Sequence, residues 1–269
     1  MEKYWPYMLQ TLEELLAIPS PSGYTYQANG YLSQQLDELG ISYSTTAKGA
    51  IVAAVPGVDT ENQRIISAHV DTLGGMVKEI KSNGMLKLTN IGGLGWANVE
   101  GENCTVITSS GKEYTGTLLL NKASAHVHGA DTATSERKAD TMQVRLDEKV
   151  SCKDDTRKLG IEVGDFVAFD PRTRVTSSGF IKSRHLDDKA GVAVILGILK
   201  AIQEQKIQLP CTTHFFFSNF EEVGHGASAG IPAGVKEMLC IDMGAPGEGQ
   251  QSDEFSVSIC AKDSSGPYS

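Results

Sequence analysis

The sequence predicts an α/β fold that carries an inserted, small all-β domain. Apolar residues recur at helical spacing near the N-terminus and again between Lys189 and Gln205. Between about Leu73 and Val175 the pattern changes to short β-like runs separated by Gly, Asn and Asp turns. The α/β pattern returns after Phe180, so a β domain inserted into an α/β domain is the most economical organisation.

The first part of the α/β domain begins with helical patterns at Met8 to Ile18 and Tyr26 to Leu39, which a Pro- and Gly-containing break at 19–23 separates. Strands are predicted next at Ile51 to Val55 and Ile65 to Ala68. The insertion contributes the β-like runs Met85 to Leu88, Cys104 to Thr108, Thr117 to Leu120, Met142 to Leu146 and Phe166 to Phe169.

The second part of the α/β domain is predicted to hold a helix over 189–205 and three strands, at Thr212 to Ser218, Met238 to Ile241 and Phe255 to Cys260. We therefore expect residues 1–72 and 176–269 to form the α/β domain and residues 73–175 to form the inserted domain.

Composition narrows the function class. A chain of 269 residues is long enough for two modest domains or one large one, and its formal net charge of -9 disfavours nucleic-acid binding, which needs a basic surface. No apolar run reaches the length of a membrane span. The N-terminus lacks a basic region followed by an apolar core, and the five cysteines form no C-x-x-C pair. These features predict a cytoplasmic protein with reduced thiols that binds neither nucleic acid nor membrane.

Acids and a histidine follow the predicted strands. Ile65 to Ala68 leads to His69 and Asp71, Thr212 to Ser218 leads to Glu221 and Glu222, and Met238 to Ile241 leads to Asp242. Strand ends of an open α/β sheet gather at one edge, where ligands bind. Buried carboxylates are costly unless something pairs with them, and a metal cluster is a natural partner. Asp187, at the start of the predicted helix, is a further candidate.

Each motif alone has an ordinary structural explanation. A His-x-Asp is commonly a surface pair, Asp187-Asp188 can be a helix N-cap, and Glu221-Glu222 can lie in a solvated loop. Their combination favours a metal site. His126 and His128 would share one face of a strand, but they lie in the β domain with no acid pattern nearby, so we expect them to be structural or exposed. His185 and His214 are also predicted to be structural.

The motifs resemble those of metallopeptidase family 42. The blocks are His69-Val-Asp71, Leu186-Asp-Asp-Lys-Ala-Gly191, Glu221-Glu-Val-Gly224, Ile241-Asp-Met-Gly244 and Lys262-Asp-Ser-Ser-Gly-Pro267. The resemblance covers essentially the whole chain. It implies a three-layer, zinc-peptidase-like sheet with helices on both faces and an inserted β-barrel for dimerisation. Gly164–Asp170 and Ser183–Lys189 are most similar to a branch associated with an acetylated glutamine-dipeptide osmoprotectant system.

The family resemblance implies a dinuclear aminopeptidase that uses two divalent metal ions, zinc or cobalt, on short peptides with a free N-terminus. Its members often form dodecamers built from dimers. Asp187 would bridge the metals, His69 and Asp242 would complete one, and Glu222 would bind the other. Asp71 would orient the His69 imidazole, and Glu221 would be the general base.

The sequence departs from the family pattern in its last part. Family members continue beyond the Lys262–Pro267 block and supply a histidine that binds the same metal as Glu222, whereas this chain stops at Ser269. His225 replaces an arginine-containing pattern and could fill that position, although this is the less expected outcome. Two alternatives therefore stay open: a catalytically impaired subunit that serves in assembly, and a related metal-dependent amidohydrolase or deacylase.

Overall fold

The computed structural model describes residues 1–263 and 266–269. Its helices are α1 (Trp5–Ala17), α2 (Tyr26–Glu38), α3 (Ala125–His128), α4 (Ala130–Thr134), α5 (Lys153–Lys158) and α6 (Leu186–Gln205). Its strands are β1 (Tyr43–Thr45), β2 (Ile51–Val55), β3 (Gly57–His69), β4 (Gly74–Ile80), β5 (Leu86–Ile91), β6 (Asn103–Ile107), β7 (Glu113–Leu120), β8 (Met142–Leu146), β9 (Phe166–Phe169), β10 (Arg174–Val175), β11 (Ile181–Lys182), β12 (Leu209–Ser218) and β13 (Val235–Cys240).

The α/β unit is built on a sheet with the strand order β1-β2-β12-β3-β13. β12 and β13 run parallel to β3, whereas β2 pairs antiparallel with both β1 and β12. Helices α1, α2 and α6 share one core with this sheet, which includes Leu15, Leu32, Leu196 and Phe215. Phe216 belongs to a second cluster because successive strand side chains alternate between faces. The apolar run of β12 is thus explained by burial on both faces.

The inserted unit is a closed barrel with the strand order β4-β5-β8-β7-β6-β9. Its interior is filled by buried apolar side chains, among them Val77, Leu88, Val106, Leu118 and Val144. These residues come from alternating positions of their strands, which is the pattern that a packed small barrel requires. The predicted α/β class with an inserted barrel is confirmed.

A buried carboxylate joins the barrel to the segment that precedes α6. Glu102 is only 2% exposed, and its carboxylate accepts hydrogen bonds from Arg172 Nε at 2.8 Å and from Arg184 Nη2. Arg184 Nη1 also donates to the carbonyl oxygen of Asn98 at 2.9 Å. A buried charge requires such partners. Because Arg184 lies just before α6, this cluster fixes the barrel against the chain that delivers Asp187.

One predicted strand is wrong. In the part of the chain that the structure describes, Phe255 to Cys260 form no strand, and Phe255, Val257 and Ile259 are 83%, 93% and 95% exposed. The alternating apolar pattern is present there, but no described strand pairs with the segment. Ser264 and Ser265 of the predicted Lys262–Pro267 block lie outside the described residues. None of the described helices combines the length and the apolar character that a bilayer crossing demands.

Candidate metal centre

Three strand ends meet at one edge of the α/β sheet. The parallel register pairs Ser218 of β12 with His69 of β3, and Cys240 of β13 with Ser67 of β3. The residues that follow these strands therefore emerge side by side. This register brings the loop with Glu221 and Glu222, the His69 ring and Asp242 to the same edge, as the strand pattern predicts.

His69, Asp187 and Asp242 form a group that could hold a metal ion. One ligand atom from each of these side chains lies within 4.8 Å of the others. His69 is buried, Asp187 is half-buried and Asp242 is exposed, so the group opens from the core towards solvent. Asp187 reaches it from the first turn of α6, where its backbone and that of Asp188 depart from helical angles.

The hydrogen bonds of His69 leave one ring nitrogen available as a ligand. Nδ1 lies 2.9 Å from the carbonyl oxygen of Asp71, which can only accept, so Nδ1 carries the proton in the neutral ring. The Nε2 lone pair then faces Asp187 Oδ1 at 3.0 Å and Glu221 Oε2 at 3.5 Å. Electron-rich atoms this close repel one another unless a proton or a metal ion lies between them. The donor set, an imidazole with carboxylates, fits a divalent metal ion.

The carboxylates at this edge of the sheet are partly buried and repel one another. Burial, followed by the charges of Asp187 and other neighbouring acids, raises the pKa of Glu222 to about 7. Burial likewise raises the pKa of Glu221 and of Asp242. Burial alone would lower the pKa of His69, but the hydrogen bond with Asp187 and the nearby negative charge of Asp71 raise it to about 12. A proton or a metal ion relieves the same repulsion, so the site favours positive charge.

Asp71 contacts His69 through its main chain rather than through its carboxylate. Asp71 Oδ1 is 3.6 Å from His69 Nδ1, beyond hydrogen-bond distance, whereas the carbonyl oxygen accepts the bond. The fully buried carboxylate instead accepts hydrogen bonds from Ser22 Oγ and from the backbone amides of Glu221 and Glu222. Asp71 therefore anchors the loop that carries the two glutamates.

Asp188 holds the backbone around the ligand group. Its Oδ2 accepts from the amide of His69 at 3.0 Å, and its Oδ1 accepts from the amide of Gly191 at 3.2 Å. A Cβ at Gly191 would lie 2.4 Å from Asp188 Oδ1, which explains the glycine. Burial raises the pKa of Asp188 to about 8.

Lys189 anchors the start of α6 to the end of α1. Its side chain is almost fully buried, and Nζ donates to the carbonyl oxygens of Leu15 at 2.8 Å and Ile18 at 2.6 Å. These carbonyls end helix α1, where a cation is favoured. Burial lowers the pKa of the Lys189 ammonium to about 7. Sequence patterns gave no indication of this contact or of the Ser22–Asp71 bond, because both join distant segments.

The remaining histidines take several positions. His126 and His128 lie in the short helix α3, so the prediction that they share a strand face is wrong; their segment turns before a strand can form. His185 contacts the carbonyl oxygen of Phe169, and His214 contacts Gln63 Oε1 at 2.6 Å, which are structural contacts. His225 Nδ1 lies 2.8 Å from Lys48 Nζ, so its ring is engaged away from the ligand group.

A cavity of about 440 Å³ lies elsewhere, between the end of α1 and the barrel. Ser20, Thr105, His185 and Lys189 are among its lining residues. The candidate ligands are not among them. Within the described residues, the ligand group thus lies at the sheet edge, at the end of β3, the start of α6 and the loop after β13, rather than in this cavity.

Comparison with known proteins decides the family. The sequence profile described as M42 glutamyl aminopeptidase matches residues 49–269, which is most of the chain. The chain belongs to the M42 peptidase family. It is 52% identical over 260 residues to YhfE of Bacillus subtilis (strain 168), a protein named as an aminopeptidase. That match covers 97% of this M42 chain and 75% of YhfE.

A more distant relative supports the same family assignment. The glutamyl aminopeptidase of Lactococcus lactis subsp. cremoris is 25% identical over 219 residues, covering 81% of this chain and 60% of its own length. This M42 chain is a peptidase hydrolase of the aminopeptidase type, from a family that implies divalent metal ions.

Solved structures share the fold of this M42 chain. A TET aminopeptidase from the marine archaeon Thaumarchaeota archaeon SCGC AB-539-E09 superposes with a TM-score of 0.80 at 20% identity, covering 91% of this chain and 68% of that one. The TET1 peptidase of Pyrococcus horikoshii superposes with a TM-score of 0.75 at 22% identity, covering 87% and 68%. That peptidase assembles into a tetrahedron or a large octahedral shell.

Proposed function

We propose that this chain removes N-terminal residues from short peptides by hydrolysis that depends on two divalent metal ions, zinc or cobalt. The observation that carries the proposal is the convergence of His69, Asp187 and Asp242 beside the Glu221 carboxylate. His69 and Asp242 would hold one ion, Glu222 would hold the other, and Asp187 would contribute a carboxylate oxygen to each.

Each side chain has a separable task. When bound, divalent ions at this site supply Lewis acidity that polarises the peptide carbonyl and favours deprotonation of water. Glu221 would accept the proton from the attacking water and then donate it to the leaving amine. The raised pKa of Glu221, which burial causes, suits a group that must both take up and release a proton.

The remaining residues hold this arrangement in place. The Asp71 carbonyl keeps the Nδ1 proton on His69 and so directs Nε2 at the ligand group. The Asp71 carboxylate holds the amides of both glutamates. Fixing the base and the ligands before substrate arrives lowers the entropic cost of reaching the transition state.

We also propose that the chain assembles into a homo-oligomer, with dimers building a dodecamer. The assembly of the Pyrococcus horikoshii TET1 peptidase, which shares the fold, supports this proposal. Size-exclusion chromatography with light scattering tests it. A mass near twelve chains is expected, and a monomer at micromolar concentration would contradict it.

Paired substrates test the activity. A tripeptide with a free N-terminus and its N-acetylated counterpart are incubated with zinc- or cobalt-loaded protein, and with protein treated with a chelator. We expect release of the N-terminal residue from the free peptide only, and loss of that release on chelation. Cleavage of the acetyl group instead would indicate a deacylase, and no turnover of either substrate by the loaded oligomer would indicate a non-catalytic subunit.

A further inference from the structure

Phe220, directly before Glu221, has a backbone conformation that its side chain disfavours. Its φ is 65°, in the left-handed region, where bulky residues are rare and cost free energy. Phe220 lies near the start of a loop, residues 219–228, which carries both glutamates of the proposed site. Surrounding contacts must therefore stabilise Phe220.

Two residues contact the Phe220 ring. The His225 ring stacks on it, with centroids 5.1 Å apart and 20° between the planes. The Lys48 ammonium lies 5.2 Å from the centroid of the same ring, within the range of a cation–π interaction. The amide of His225 also donates to the carbonyl oxygen of Phe220 at 3.1 Å, which closes the loop on itself.

Lys48 binds the far end of the loop through its side chain. Its Nζ lies 2.8 Å from His225 Nδ1 and 3.0 Å from Ser228 Oγ, and it donates to the carbonyl oxygen of His225. An ammonium group can only donate, so Nδ1 accepts and the neutral His225 ring carries its proton on Nε2. The three hydrogens of the ammonium thus have acceptors in one segment.

Lys48 binds the near end of the loop through its main chain. Its carbonyl oxygen accepts from Nδ2 of Asn219 at 2.8 Å, and Asn219 is only 2% exposed. One residue in the turn between β1 and β2 therefore contacts both ends of loop 219–228. Glu221 and Glu222 lie between these attachments, and the Asp71 carboxylate accepts hydrogen bonds from their backbone amides.

We propose that Lys48, His225 and Phe220 form a clamp that positions Glu221 and Glu222 for the reaction. Lys48 is a positioning residue in this clamp, since it acts through the loop. The catalytic consequence rests on the proposed function, whereas the ordering of the loop does not. His225 departs from the family pattern, and its role in this chain is to contact Lys48 and Phe220 in the clamp.

Lysine variants of the metal-loaded, full chain test the clamp. Lys48→Met keeps the length of the side chain but removes its donors, and Lys48→Arg restores a cation that can donate and stack. Lys78→Met, at an exposed position of β4, is the matched control. Because a misplacement of about 1 Å costs up to about 100-fold in rate, we expect Lys48→Met to lower kcat by about 10- to 100-fold. KM should change by less than about threefold, Lys48→Arg should recover most of kcat, and Lys78→Met should match the wild type.

A double variant tests whether the contacts act as one unit. If Lys48 and His225 support the same loop conformation, Lys48→Met/His225→Ala should be no slower than the worse single variant, rather than showing the product of both losses. Multiplicative losses would overturn a shared clamp.

Hydrogen–deuterium exchange measures the loop without relying on turnover. Amides of residues 219–228 should exchange at least several times faster in Lys48→Met than in wild type or Lys78→Met, and the rest of the chain should be unchanged. Unchanged exchange would overturn the clamp, and faster exchange with wild-type kcat would overturn its positioning role. If the wild-type chain hydrolyses no peptide, the proposed function fails, and exchange still decides whether the clamp exists.

Discussion

The buried carboxylate of Asp71 accepts the backbone amide of Glu221, with 3.2 Å between Oδ1 and the amide nitrogen. The same carboxylate accepts the amide of Glu222 through Oδ2 at 3.3 Å and the hydroxyl of Ser22. The main chain of Asp71 meanwhile contacts His69. A single residue thus connects the end of β3 with the loop after β12, and it sets the distance between a candidate ligand and the candidate base.

Asp71→Asn should impair both activity and stability. The amide that replaces one carboxylate oxygen cannot accept from a backbone N–H, so a buried donor loses its partner at a cost of about 1–3 kcal/mol. We expect kcat to fall by about 100-fold, because the glutamate loop loses its anchor. Steady-state kinetics and urea unfolding measure the two effects, with Asp37→Asn on the exposed face of α2 as the control. Wild-type kcat in Asp71→Asn would contradict the anchoring role.

Glu221 and Glu222 should respond differently to the same isosteric change. Glu221→Gln removes the proposed base, so kcat should fall by about 100- to 10,000-fold while the metal content stays the same. Glu222→Gln removes a proposed ligand, so metal content should fall together with activity. Elemental analysis beside the kinetics separates the two residues. Retained turnover in Glu221→Gln would exclude it as the base.

Metal binding should strengthen as the pH rises towards neutrality. Burial and the neighbouring acids raise the pKa of Glu222 to about 7, so the metal-free protein keeps a proton there below that pH. The contribution of Glu222 to the free energy of unfolding of the metal-free protein is fully present at pH values below the ordinary glutamate pKa. This contribution is lost as the pH rises through about 7, because the folded state then loses the Glu222 proton. A metal ion must displace this proton, so the Glu222 proton alone should make zinc affinity rise by up to about tenfold per pH unit below pH 7 and should add no further increase above it.

Thermal unfolding with and without zinc measures this effect. The increase in Tm on zinc addition should be larger at pH 8 than at pH 5.5, and Glu222→Gln should reduce the difference. An increase in Tm that is the same at both pH values would contradict the proton–metal competition.

Glu102 should contribute more to stability than its neighbour Glu100. Glu102→Gln removes the buried carboxylate that accepts from Arg172 and Arg184, and losing hydrogen bonds to a charged group costs about 1.5–3 kcal/mol. Glu100 pairs with Arg137 at a more exposed position, so Glu100→Gln should cost at most about 1 kcal/mol. Urea unfolding compares the two variants. Equal destabilisation would show that the attachment of the barrel to the segment before α6 does not depend on Glu102.

Sequence patterns could predict the parts of the site that local chemistry determines. His69, Glu221 and Asp242 follow strands whose apolar runs are visible in the sequence, and parallel strands end at a common edge. The Lys48–His225 contact was not predictable, because it joins positions 177 residues apart. The alternation at Phe255 to Cys260 predicted a strand wrongly, since a strand also needs a partner that the pattern does not reveal.

Metal stoichiometry tests the central claim most directly. Wild-type chain and Asp187→Asn are loaded with zinc or cobalt, passed through a desalting column and analysed for metal per folded chain. The account predicts about two ions per wild-type chain and fewer than one in Asp187→Asn, because Asp187 would serve both ions. One ion or none in the wild type, or an unchanged content in Asp187→Asn, would contradict a two-ion centre built on Asp187.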